Sequence, residues 1–242
     1  NGTQDHKIED SLNRKKSVPI LRELEKIACH PFLLDSSQHY RGLFAAKTTV
    51  CAAGSDGQVA EGVLIADSIV WLKQSNIDSL NLRDIEAVDG ELIVLSIESP
   101  GIIKVSSKSK GKDAKSNWKT TYFNSDTNVF MDGMDFWHNG KGLVYGDPLN
   151  GFHFILKTEN WGQDWLRIVS EKLPEPIEDE AGFAASGTGV VCVGDGVGYI
   201  GWGGVKARIF KTIDYGENWI VQETPVAHGK AGKGIYCMAW KN

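Results

Sequence analysis

Arginines and carboxylates recur at comparable places along the chain. Arg41, Arg83, Asp84, Glu86, Asp132, Asp135, Asp147, Ser186 and Arg208 each lie in or beside a short apolar run. Glycoside hydrolysis needs two carboxyl groups about 5–9.5 Å apart. Asp84, Glu86, Asp132 and Asp147 are the candidates for such a pair. Arginine forks suit carboxylate or phosphate, so Arg41, Arg83 and Arg208 are candidates to hold an anion. Charges on buried strands are costly unless paired or solvated. Two readings follow: ion pairs that fix the order of the elements, or a polar pocket for an anionic or sugar-like ligand. Arg83 and Asp84 are neighbours, so in a strand only one of them faces a given side.

Other chemistries find no support. His30, His39, His138, His153 and His228 show no metal spacing and read as surface or packing residues. Cys29, Cys51, Cys192 and Cys237 form no CxxC, and the last three lie in apolar runs, which predicts buried thiols. No GxGxxG opens a helix after a strand. The segment Gly194-Asp195-Gly196-Val197-Gly198 reads as a hairpin turn. No cofactor and no metal site is expected. Net charge is -5, which gives no electrostatic footprint for nucleic acid. No apolar run approaches the ~20 residues of a membrane-spanning helix. Six lysines between Lys104 and Lys119 read as a solvated loop, or as a docking patch for an acidic partner.

The elements that must position these residues are read from a repeat. Thr158-x-Asn160-x-Gly162-x-x-Trp165 and Thr212-x-Asp214-x-Gly216-x-x-Trp219 are versions of one phrase. Each residue has a structural task in a turn. Asp or Asn accepts backbone N–H bonds, Gly permits positive φ, Trp covers apolar surface, and the Thr hydroxyl caps a local backbone group. Trp71, Trp118, Trp165 and Trp219 follow one another at 47, 47 and 54 residues. Four-stranded propeller blades take roughly 40–50 residues each. The 27 glycines and 8 tryptophans suit short strands and tight turns. The expected fold is all-β, with at least four blades at 40–73, 82–123, 131–169 and 181–223 and a fifth opening at 234–242. In the fourth unit, strands are expected at Gly182–Ser186, Gly189–Gly194, Val197–Trp202 and Ala207–Lys211. Several runs are continuously apolar, as in sheets packed on both faces. Residues 1–37 stand apart. Val18–Ala28 fits either a short amphipathic helix or a strand that closes the ring. The polar start, Asn1 to Lys7, shows no signal peptide, and it also fits what remains after export processing.

Thr-x-Asp-x-Gly-x-x-Trp resembles the Asp-box, or BNR repeat, of sialidase-like β-propellers. An ordered series extends the likeness: Arg41-Gly42-Leu43, Arg83-Asp84-Ile85-Glu86-Ala87, Ser99-Pro100-Gly101, Gly146-Asp147-Pro148, Phe183 to Thr188 and Ala207 to Lys211. It is similar to bacterial BNR propellers related to photosystem II stability and assembly factors, often labelled oxidoreductase or glycosyl hydrolase. The resemblance covers about residues 38 to 242. It implies a ring of about six or seven blades, so the chain would be part of a larger ring. The alternative is a smaller ring closed by pairing the N-terminal segment with 234–240. It favours a secreted or periplasmic location. The function it implies is a non-catalytic scaffold presenting a channel mouth and loops to a protein or small polar ligand. Arg41, Arg83, Asp84, Asp132, Asp147 and Arg208 would face the channel, and no catalytic residue is assigned. The alternative is a sialidase-like glycosidase. Sialidases also use three arginines and a tyrosine–glutamate couple. This chain matches only a loose arginine count and has no secure couple.

Overall fold

A computed structural model describes residues 38–107, 117–184 and 187–240. Cys29, Ser186, the Val18–Ala28 segment and the lysines from 108 to 115 lie outside the described residues. Among the described residues sixteen strands form four antiparallel sheets, each a simple meander. Sheet 1 holds β1 (Tyr40–Ala46), β2 (Thr49–Gly54), β3 (Gln58–Ile65) and β4 (Ser68–Asn76). Sheet 2 holds β5 (Leu82–Val88), β6 (Glu91–Ser96), β7 (Gly101–Ser106) and β8 (Trp118–Asn124). Sheet 3 holds β9 (Met131–Phe136), β10 (Gly142–Leu149), β11 (Phe152–Thr158) and β12 (Leu166–Arg167). Sheet 4 holds β13 (Val190–Val193), β14 (Val197–Gly201), β15 (Arg208–Thr212) and β16 (Ile220–Glu223). No helix among the described residues is long and apolar enough to cross a membrane.

The four spaced tryptophans fall at the start of the fourth strand in each sheet. Trp118 opens β8, Trp71 lies early in β4, and Trp165 and Trp219 directly precede β12 and β16. The first strands are neighbours in chain order: β1 lies against β5, β5 against β9, and β9 against β13.

The core lies between successive sheets. Leu92 and Val94 of β6 pack with Cys51 and Val59 of sheet 1. Ile93 and Leu95 of the same strand pack with Met134, Phe154 and Leu156 of sheet 3. Ile155 of β11 turns to the other side, with Ile200 and Phe210 of sheet 4 and Trp202 just after β14. A strand buried on both faces cannot alternate apolar with polar, so these runs are continuously apolar. Each such side chain contributes about 1.5–3 kcal/mol on full burial.

The two turn phrases fold alike. Thr212 Oγ1 accepts the Gly216 N–H at 2.9 Å and donates to Asp214 Oδ1 at 2.8 Å. Asp214 Oδ1 also accepts from the N–H groups of Glu217 at 3.1 Å and Asn218 at 2.9 Å. In the earlier turn Thr158 Oγ1 accepts the Gly162 N–H at 3.1 Å, and Asn160 Oδ1 accepts from Asp164 N–H at 3.0 Å. Trp161 and Gly162, like Tyr215 and Gly216, have φ of 60°, 74°, 61° and 85°. Two successive left-handed residues reverse the chain between the third and fourth strands, and glycine at the second removes half the steric penalty.

The fourth unit departs from the expected strand order. The phrase lies between the third and fourth strands, so Val190–Val193 is the first strand and Val197–Gly201 the second. Gly182 to Ala184 belong to no ladder. Gly182 N–H is taken by Asp147 Oδ1 at 2.9 Å, and Ala181 makes only an isolated bridge to Gly203. Cys51 is buried as expected, whereas Cys237 is exposed, because residues 235–240 form no strand to cover it. The Gly194–Gly196 turn does join a hairpin, with Val193 opposite Val197.

Candidate functional site

Three of the first strands carry one extra residue at the same point. The β1–β2 register jumps at Arg41, the β5–β6 register at Arg83 and the β9–β10 register at Asp132. A bulge interrupts the two-residue alternation and re-aims the extra side chain. Arg41, Arg83 and Asp132 thereby come together on one cavity of about 470 Å³. Ile97, Phe130, Phe183 and Tyr236 supply its apolar wall, with Asn81 and Glu98 at the rim. Phe183 and Tyr236 stack at 4.2 Å between ring centroids.

The polar groups here are poorly matched with one another. Asp132 is fully buried, and neither of its carboxylate oxygens has a hydrogen-bond partner. Arg83 is 4% exposed, and its Nε and Nη1 have none either. Burial pushes the Asp132 carboxyl well above the usual range; Asp147 adds to this and Arg83 opposes it. Burial and the nearby charge of Arg41 lower Arg83, against the pull of Asp132 and Asp84. Burial likewise raises Asp147, offset by its bond from Gly182. Buried polar groups in folded proteins are nearly always bonded. Leaving one unsatisfied costs about 1–3 kcal/mol, more when it is charged.

Asp84, just past the bulge, points elsewhere. Its Oδ1 accepts the Ile85 N–H at 2.9 Å and its Oδ2 accepts the Met134 N–H at 2.8 Å, which ties β5 to β9. Asp135 repeats the device one sheet later, accepting from Phe136 N–H and from Cys192 N–H of β13, both at 2.7 Å. Burial raises Asp84 to about 7 and Asp135 to about 6, against these backbone bonds. Glu86 is raised too, by burial and then by Asp84 and Asp135. Gly187 has φ of +74°, and a Cβ there would lie 2.6 Å from Asp84 Oδ1, so this carboxylate sits in a cradle only glycine leaves open.

Arg208 is not at the cavity. Its Nε donates to Glu180 Oε1 at 2.7 Å and its Nη2 to Glu180 Oε2 at 2.5 Å. His153 Nε2 meets the same Oε2 at 2.7 Å. The three sequence-selected arginines therefore divide two and one. Asp147 lies near Asp132 but is engaged by Gly182. Thr158, Asn160, Gly162, Trp165, Thr212, Asp214, Gly216 and Trp219 stay with their turns. Sequence reasoning missed Glu180, which sits in an acidic loop with no periodicity, and it missed the wall formed by Phe183 and Tyr236. The strand-like run Gly234–Trp240 was the only signal for Tyr236.

A second depression of about 510 Å³ lies beside the two turns. There Lys157 and Lys172 both pair with Glu217, so its charges close on one another. No cluster of metal-ligating side chains occurs among the described residues. Compared with known proteins, the chain matches no family model and no curated sequence.

Proposed function

We propose that the four sheets are blades of an Asp-box β-propeller and that the chain acts as a binding module without catalysis. The cavity bounded by Arg41, Arg83 and Asp132 would receive a small polar ligand with an anionic group. One observation carries this reading: Arg83 lines the cavity and is buried there with its Nε and Nη1 donors unpartnered. A carboxylate arriving there supplies the acceptors Arg83 lacks, in a charge-assisted bond. The repeated meander, the neighbouring first strands and the paired turn phrases support the propeller. Rigid sheets of this kind hold a site with little reorganisation on binding.

The test is titration calorimetry with 3-phenylpropionate as the carboxylate probe. Saturable binding that Arg83→Gln weakens at least tenfold supports the reading; no binding, or binding indifferent to Arg83, overturns it. The hydrolase alternative draws on Asp132 and Asp147 as two raised carboxyls close together. It has two arginines at the cavity, not three. Turnover of a fluorogenic glycoside that Asp132→Ala abolishes would replace the non-catalytic reading.

A further inference from the structure

We propose that the ligand of this cavity is a zwitterion, an α-amino acid with an apolar side chain, its carboxylate on Arg83 and its ammonium on Asp132. This rests on the binding reading above and adds to it the ligand's class. The argument begins with Asp132, which a simple anion does not explain. An anion satisfies Arg83 but leaves a fully buried carboxyl with two unpartnered oxygens beside it. An ammonium group brings three donors and no acceptor. It offers a donor to Asp132, which lines the cavity.

The charge balance points the same way. Arg41 and Arg83 bring two cations, while Asp132, the nearby Asp147 and the rim residue Glu98 bring three carboxyl groups. Each charge of a zwitterion meets an opposite partner in this set, whereas a simple anion leaves Asp132 without one. Complementary pairing in a desolvated site is worth far more than in water. The remaining wall is apolar, and the stacked Phe183 and Tyr236 rings offer a flat surface to an aliphatic or aromatic side chain.

Protonation gives a signature that a merely structural Asp132 would not. The groups facing Asp132 are Arg83 on β5 and Asp147 and Tyr145 on β10, with Arg41 on β1 beyond Arg83. Burial and Asp147 hold its carboxyl up, so in the free protein it tends to be protonated. An ammonium binds the ionised form and expels that proton. A carboxylate lacking the ammonium prefers the protonated form, which can donate to it.

The experiment titrates the chain with L-phenylalanine, 3-phenylpropionate and 2-phenylethylamine between pH 5.5 and 8. Phenylalanine is expected to bind at least tenfold more tightly than either partial analogue at pH 8. Its affinity should rise with pH, while that of 3-phenylpropionate falls. In Asp132→Asn the phenylalanine affinity should drop at least tenfold, to the level of 3-phenylpropionate, and the pH dependence should vanish. If 3-phenylpropionate binds through Arg83 and phenylalanine binds no tighter, the zwitterion inference fails and the binding reading stands. If none of the three binds, both fail. Should Asp132→Asn not fold, the opposed pH trends of the two ligands on the unaltered chain decide the matter alone.

Discussion

Removing the guanidinium of Arg208 should destabilise the fold heavily, and more at neutral than at acid pH. Arg208→Met keeps a stem of similar length over Phe210, where the guanidinium carbon lies 5.1 Å from the ring centroid. It takes away both bonds to Glu180, whose side chain is 2% exposed. Glu180 is left with His153 and a long contact from the Ile177 N–H at 3.4 Å. Breaking one partner out of a buried pair costs about 3–5 kcal/mol. In a chain of this size each kcal/mol moves the melting midpoint by about 2–4 °C, so the fall should be on the order of 10 °C. The pH dependence separates charge from packing. Burial pushes Glu180 up, but bonds from His153 and Arg208 and their charges hold it below its ordinary value. A carboxylate lowered by folding adds stability above its unfolded pKa, about 4.3, and that stability is lost as pH falls through the folded value. Without Arg208 burial dominates and the sign inverts: ionised Glu180 then subtracts stability, and the penalty fades on protonation. Urea denaturation followed by tryptophan fluorescence reads this directly, since Trp202 lies 4.6 Å from the His153 ring. The loss should be largest near pH 7 and shrink by at least half near pH 4. Adding Glu180→Gln should restore more than half of it at pH 7. A loss that is flat across this range, or below about 1 kcal/mol, would refute the reasoning, because a buried unpaired charge cannot behave so.

Two further outcomes follow from the first strands and the turns. The raised carboxyls of Asp84, Asp135 and Glu86 each favour the protonated fold, so their contribution is complete below the unfolded pKa and is lost as pH rises through the folded values, about 7 for Asp84 and about 6 for Asp135. The urea midpoint should therefore decline between pH 5 and 8, and Asp84→Asn should flatten that slope; an unchanged slope in the variant would show that Asp84 does not titrate there. Asp214→Ala removes the acceptor for two backbone N–H groups and should cost about 1–2 kcal/mol by urea denaturation. Asp214→Asn should cost less than half of that, because Asn160 fills the same place in the earlier turn, and equal losses would show that the charge rather than the acceptor matters.

The repeat was readable because turn chemistry is local. A threonine, an acceptor, a glycine and a tryptophan at set offsets bond one another without help from the rest of the chain. The two-sided packing was readable too, since runs such as Leu92–Leu95 leave no polar face. The site was only half readable. Arg41, Arg83 and Asp132 were selected as charges near first strands, but nothing in their flanks marks a bulge. One extra residue in a strand changes neither composition nor hydropathy. Arg208 carried the same signal as Arg83, and it went to a different place because its partner, Glu180, lies 28 residues away in an acidic loop. Long-range pairing of that kind leaves no trace in local pattern.

The bulges explain how one strand serves two purposes. Along β5, Asp84 must reach sideways to Met134 on β9, and a regular pleat would send Arg83 to the opposite face, into the packing between sheets. The extra residue breaks that rule at one point. It lets Asp84 and Ile85 keep their places in the ladder and the core while Arg83 leaves both. The same division holds on β9, where Asp135 clamps the next strand and Asp132 faces the cavity. Substitution at the bulged positions should therefore change ligand preference with little effect on the clamps, and substitution at the clamps should loosen the sheets with little effect on which ligand is preferred. On the binding reading proposed above, a scaffold in which recognition and cohesion sit on nearby residues of one strand, with a bulge setting them apart, can vary one without losing the other.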